Sequence, residues 1–141
     1  MPLWTIHHTP GTFAEAEKRE LATRIADHYE QVGLPRFYVV TLFQEVRPEN
    51  FYVGGESTPV GVRITIDHIA RRNPDQASRR RTAQWIRSML QPQLERLPGL
   101  HWEFHADETS EDLWMINGLV PPPGGSDAEK DWAKRNSTFA Y

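Results

Sequence analysis

Apolar and polar positions alternate from Pro2 to His8. Trp4, Ile6 and His8 share one parity and Leu3, Thr5 and His7 the other, which is the period of a strand. Thr9-Pro10-Gly11-Thr12 reads as a turn, with Thr12 placed to cap the next helix and Glu15 three residues on. From Phe13 to about Val32 the spacing becomes helical. Leu21, Ile25, Tyr29 and Val32 form the apolar stripe, His28 lies on the same side, and Gly33 and Pro35 end the run. Phe37–Val46 carries Phe, Val and Leu on both parities, the pattern of a strand covered on both faces. Arg47-Pro48-Glu49-Asn50 predicts a turn, and residues 51–55 a short extended piece ending in glycines.

A second cycle begins near Val62. Residues 62–69 predict a strand, with Val62, Ile64, Ile66 and His68 on one parity, and residues 71–75 a connection entering a helix at Pro74 and Asp75. The helix runs from Gln76 to about Leu94 on the stripe Ala83, Ile86, Leu90 and Leu94. Leu97-Pro98-Gly99 ends it, and Leu100–Ala106 is the next strand. Asp107–Trp114 predicts a helical turn, residues 115–120 an extended piece, Pro121-Pro122-Pro123-Gly124-Gly125 a hard break, and residues 127–136 a short polar helix whose anchor is Trp132.

The two cycles match. Each reads strand, helix, strand over residues 2–46 and 62–106, and Thr5-Ile6-His7-His8 recurs as Thr65-Ile66-Asp67-His68. The expectation is an α/β (α+β) fold in which two tandem β-α-β units make a four-stranded sheet with two helices on one face. The other face is expected to be apolar and to need a partner subunit. Residues 1–120 form the expected domain, and residues 121–141 a tail with little to pack on in its own chain, expected to lie across a neighbour.

Composition narrows the function. The chain has 141 residues, which suits one domain, and its 38% hydrophobic and 25% charged residues are those of a globular protein. Sixteen Lys and Arg against nineteen Asp and Glu give a net charge of −3, which argues against nucleic acid or a membrane surface as partner. The absence of cysteine excludes disulfides and thiolate chemistry. Neither a signal-peptide pattern nor a membrane-length apolar run is present, so a cytoplasmic location is the default expectation. His7, His8, His68 and His105 do not have zinc-site spacing, no phosphate-binding glycine loop follows a strand, and no metal or cofactor is expected.

The candidate chemistry starts at Met1-Pro2. Initiator methionine is removed before small residues, and Pro2 would then begin the chain with a secondary amine. In an apolar pocket or beside cations its pKa falls toward neutrality, which suits a general base. Arg71 and Arg72, in a strand-to-helix loop, are candidate carboxylate ligands. Arg79-Arg80-Arg81 reads as an exposed helix face.

These features resemble the tautomerase superfamily of N-terminal-proline enzymes, and within it the cis-3-chloroacrylic acid dehalogenase subgroup. The resemblance rests on Met1-Pro2, the doubled β-α-β unit, Ile25-Ala26-Asp27-His28, Phe43-Gln44-Glu45 and Asn50-Phe51-Tyr52-Val53-Gly54-Gly55, over most of residues 2–121. It implies a homotrimer with a barrel-like core and a proline-bearing active site at each subunit boundary. Pro2 falls on the catalytic proline, His28 on a substrate-binding histidine, and Arg71 on the first of two carboxylate-binding arginines. Pro74 stands where the second arginine would be, with Arg72 a substitute of different direction. Phe104 takes the place of an active-site tyrosine and Met115 that of a water-activating glutamate, so the pocket is expected to be drier and more apolar. The implied activity is enol–keto interconversion of a small 2-oxo acid or related carbonyl compound. The alternatives are hydration or dehalogenation of an unsaturated 3-haloacrylate-type acid, and a trimeric small-molecule binder without turnover.

Overall fold

A computed structural model describes residues 1–69 and 71–141. The strands are β1 (Pro2–His8), β2 (Val40–Glu45), β3 (Tyr52–Val53), β4 (Glu56–Ser57), β5 (Gly61–Ile69) and β6 (His101–Thr109). The helices are α1 (Glu15–Gln31), α2 (Gln76–Leu94) and α3 (Asp127–Arg135). The main sheet has the order β2-β1-β5-β6, and β3 and β4 make a small hairpin. β1 is parallel to β2 and β5 is parallel to β6, while β1 and β5 meet antiparallel at the centre. Two β-α-β units are thus joined side by side and head to tail, as the repeat predicts.

Alternation along the central strands decides which face is covered. Trp4, Ile6, Val62, Ile64 and Ile66 are fully buried, against Leu21 and Ile25 of α1 and Ile86, Met89, Leu90 and Leu94 of α2. Each such side chain contributes about 1.5–3 kcal/mol by leaving water. The opposite face departs from expectation. It is apolar only at the β2–β1 corner, where Val40 is 36% and Leu42 44% exposed. Toward β6 it carries Arg63, Asp67, Glu103 and His105. β2 is therefore an edge strand rather than one covered twice within the chain.

Three local readings are corrected. Thr12 does not cap α1: its hydroxyl donates to the Thr9 carbonyl at 2.7 Å, and the Glu17 carboxylate accepts from the Ala14 N–H at 2.8 Å instead. β6 runs on to Thr109, past the predicted stop at Ala106, because it stays paired with β5 to Ile69. The tail has a partner in its own chain. Trp132 is fully buried, with ring centroids 6.0 Å from Phe37, 6.3 Å from Tyr38 and 6.2 Å from Phe139, and its Nε1–H donates to the Phe139 carbonyl at 3.0 Å. Phe37 and Tyr38 lie in a distant part of the chain and Phe139 lies beyond the end of α3, so the polar pattern of residues 127–136 did not reveal them.

Candidate active site

The antiparallel junction sets the site. Pro2 is the first residue of β1 and pairs with His68 near the end of β5, both on the covered face. Here the sheet core gives way to a cavity of about 340 Å³, walled by Pro2, Tyr29, His68, Arg71, Arg72 and Trp85. Met1 continues the pairing outward. The Ile69 N–H donates to its carbonyl at 2.8 Å, and its amino group donates to the Ile69 carbonyl at 2.6 Å. That amino group is held well below its ordinary value, at about 5, first by burial and then by the Arg71 charge, with Glu129 acting in the opposite sense.

Met1, Leu34 and Arg71 also wall a second cavity of about 410 Å³, which holds Trp114, Met115, Glu111 and Asp112. Met1 is thus a partition between two chambers. Arg71 sits on the same partition, its Nη2 donating to both oxygens of Glu129 at 3.0 and 3.1 Å.

Tyr29 reaches the first chamber from α1. Its hydroxyl lies 2.6 Å from His68 Nε2 and accepts from Trp4 Nε1–H at 3.3 Å. Burial raises the Tyr29 pKa above its ordinary value, only partly opposed by the Trp4 hydrogen bond, so the phenol stays protonated. Burial, aided by the nearby α-amino charge, lowers the His68 pKa and favours the neutral imidazole. The Trp85 ring stands edge-on to Tyr29, with centroids 5.0 Å apart.

Of the residues singled out from sequence, Pro2, Arg71 and Arg72 meet in the first chamber, and Met115 lines the second, 66% exposed. His28 is outside both. Its Nδ1–H donates to the Arg24 carbonyl at 2.9 Å and its ring lies behind Trp85, 5.9 Å away. A helix turns about 100° per residue, so the stripe through Leu21 and Ile25 brings Tyr29 inward and leaves its neighbour aside. Phe104 lies in a third hollow of about 480 Å³, which shares His68, Asn73 and Thr82 with the first. Tyr29, His68 and Glu129 escaped the sequence reading. Tyr29 read as core, His68 as one histidine among several, and Glu129 as part of a short polar helix in the tail. Among the described residues no group of three or more His, Cys, Asp or Glu is placed to hold a metal, and no helix is long and apolar enough to cross a membrane.

Residues 1–137 match the family model described as "Putative oxalocrotonate tautomerase enzyme". The chain belongs to the tautomerase superfamily. Two solved structures share this tautomerase fold over nearly the whole chain. Native RhCC from Rhodococcus jostii is 41% identical with a TM-score of 0.93, covering 99% of this chain and 99% of that one. A protein described as a "probable enzyme" from the thermophilic fungus Aspergillus fumigatus is 39% identical with a TM-score of 0.92, covering 100% of this chain and 98% of that one. A member of the cis-3-chloroacrylic acid dehalogenase family is similar in fold, with a TM-score of 0.73 at 16% identity over 95% of this chain and 97% of that one. No curated protein matches the chain.

Proposed function

We propose that this tautomerase-superfamily protein interconverts enol and keto forms of a small 2-oxo acid, with the Pro2 nitrogen as base and then acid after Met1 is removed. The observation that carries this reading is the electrostatic setting of the chain's start. A buried amine at this end of β1, beside Arg71, is already driven to about 5 when it belongs to Met1. Removing Met1 takes away the partition, joins the two chambers and leaves the Pro2 amine facing the same arginine. As a free base it takes the proton from the enol hydroxyl, and the resulting ammonium returns a proton to the neighbouring carbon, so the enzyme ends unchanged. Arg71, with Arg72, holds the carboxylate. With His68 in its Nε2–H tautomer, the Tyr29 oxygen accepts from both Trp4 and His68. Its own proton is then left to stabilise the enolate oxygen. His28 supports Trp85 from behind, and the homotrimer of the family would close the chambers at a subunit boundary, where Phe104 belongs to the apolar wall.

One further reading has a specific motive. Glu111 and Asp112 place carboxylates in the second chamber beside Met115, which supports water activation and hence hydration or dehalogenation of an unsaturated acid. A binder without turnover remains the reading from another class. One set of measurements separates the three. Mass measurement of the N-terminus is expected to find Pro2 exposed, and the enol of phenylpyruvate is expected to ketonise at a rate that falls on the order of a hundredfold or more in Pro2→Ala. Halide release from a 3-chloroacrylate without ketonisation would favour the hydrolytic reading. Binding with neither reaction would leave a binder.

A further inference from the structure

Arg71 is held by a segment of the chain that the catalytic reading does not use. Glu129 on α3 is 5% exposed in its side chain, and both of its oxygens accept from Arg71 Nη2. Its Oε2 also accepts from the Gly125 N–H at 2.6 Å, and the Ser126 hydroxyl accepts from the Glu129 N–H at 3.2 Å. This carboxylate is therefore fixed before any ligand arrives. Gly124 packs against the Nη1 edge of the same group. A methyl group added there would run into Arg71 Nη1, and would stand 2.7 Å from Cζ and 3.0 Å from Nη2. Gly124 has no left-handed backbone requirement, unlike Gly125 at φ +76°. Packing against the guanidinium is thus what the structure asks of position 124. A guanidinium has five N–H donors. Those of Nη2 face Glu129, Gly124 closes against Nη1, and the side chain borders both chambers.

We infer that the C-terminal segment is part of the carboxylate-binding site, with Gly124 and Glu129 as positioning residues that hold Arg71 for a substrate carboxylate. This rests on the reading of Arg71 given under Proposed function, and it assigns a role to the tail, which neither the repeat nor the sheet supplies. Glu129 also acts on the amine at the chain's start, where it opposes the effects of burial and of Arg71. The other polar groups around that point are Tyr29 on α1, His68 on β5, Arg72 and Asn73 in the loop, Arg81 on α2, Glu108 on β6, Glu111 and Asp112 after β6, and Tyr38 and Tyr141 across the second chamber.

The test uses the full chain and needs no turnover. Calorimetry compares binding of phenylpyruvate with that of its methyl ester. The wild type is expected to prefer the acid. Gly124→Ala, exposed and free of backbone strain, is expected to stay folded, with a lower melting temperature as the Arg71–Glu129 pair is disturbed, and to lose roughly tenfold or more of that preference, with ester binding changed far less. Glu129→Gln keeps the shape and one acceptor. Removing the anion is expected to move the midpoint for acylation of the N-terminal amine to lower pH. An unchanged acid-over-ester preference in a folded Gly124→Ala, or an unchanged midpoint in Glu129→Gln, overturns the inference. A wild type with no preference for the acid also overturns it. Pro2→Ala decides the identity of the base separately, so each idea can fail without the other.

Discussion

His8 and His68 occupy equivalent places in the two halves of the repeat, yet they do opposite things. β1 and β5 run antiparallel, so the equivalent residues land at opposite ends of the sheet: His8 pairs with Val62, and His68 with Pro2. At the His8 end the chain closes on itself. The His8 Nδ1–H donates to the Thr9 carbonyl at 2.9 Å, its ring packs 5.3 Å from Phe13 and 6.2 Å from Phe43, and the Thr9 hydroxyl accepts from the Gly61 N–H at 3.0 Å. At the His68 end β1 starts from the chain terminus and β5 runs out into the loop that carries Arg71 and Arg72. That meeting gathers a chain terminus, a phenol from α1 and an arginine-bearing loop around open space. The same residue type serves as a packed lock at one end and as a chamber wall at the other. What differs is whether the neighbouring connection folds back tightly or departs.

The largest effect expected to sharpen this contrast is on stability at the closed end. His8→Ala leaves a hole among Phe13, Phe43 and Val62 and should lower the unfolding free energy by about 2–5 kcal/mol, the range for large-to-small core changes. Denaturant titration measures it. The pH dependence of activity should stay where it was. A shifted pH profile in His8→Ala would break the division between the two ends.

Next in size is Arg71→Ala at the open end. A hydrogen bond to a charged group contributes about 1.5–3 kcal/mol, so binding of a carboxylate substrate should weaken by roughly tenfold to a hundredfold, and that of its neutral ester far less. Equal losses for the two would show that Arg71 does not hold the carboxylate.

A smaller effect lies in stability against pH. The His68 pKa is lowered in the folded state from 6.5, so below pH 6.5 the unfolded chain takes up a proton that the folded chain resists. Stability should therefore fall as pH drops through 6.5 toward the lower folded value. His68→Gln should flatten this slope in thermal melts between pH 7 and 5. In chain that retains Met1, the amine lowered from 8.0 to about 5 adds a slope of the same sign, beginning near pH 8.

The smallest expected change is a displacement of the activity profile. Activity should rise with pH as the Pro2 amine loses its proton, with a midpoint below the ordinary 7.7–8.0 of an α-amino group. Met115→Glu places an anion in the chamber that opens toward Pro2 once Met1 is gone, and should move that midpoint to higher pH. A profile that stays in place in the folded variant would remove Met115 from the neighbourhood of Pro2.

The elements were legible in the chain because their signals are local. Alternation along Pro2–His8 and Val62–Ile69, and the helical stripes through Leu21 and Leu90, follow from backbone geometry over a few residues. They specified the doubled unit and nearly all of the covered core. Pro2 and Arg71 were also nominated, the first by its position in the chain and the second by resemblance, and the fold brings both to one chamber. Which groups meet Pro2 is a different kind of question. Tyr29, not His28, faces the chamber because of the rotational setting of α1 against the sheet. His68, not His8, stands beside Pro2 because β5 is antiparallel to β1. Glu129 reaches Arg71 because Trp132 docks α3 on Phe37 and Tyr38. Each of these pairings spans dozens of residues. Each is decided by strand order, strand direction and aromatic packing, which no window of sequence contains.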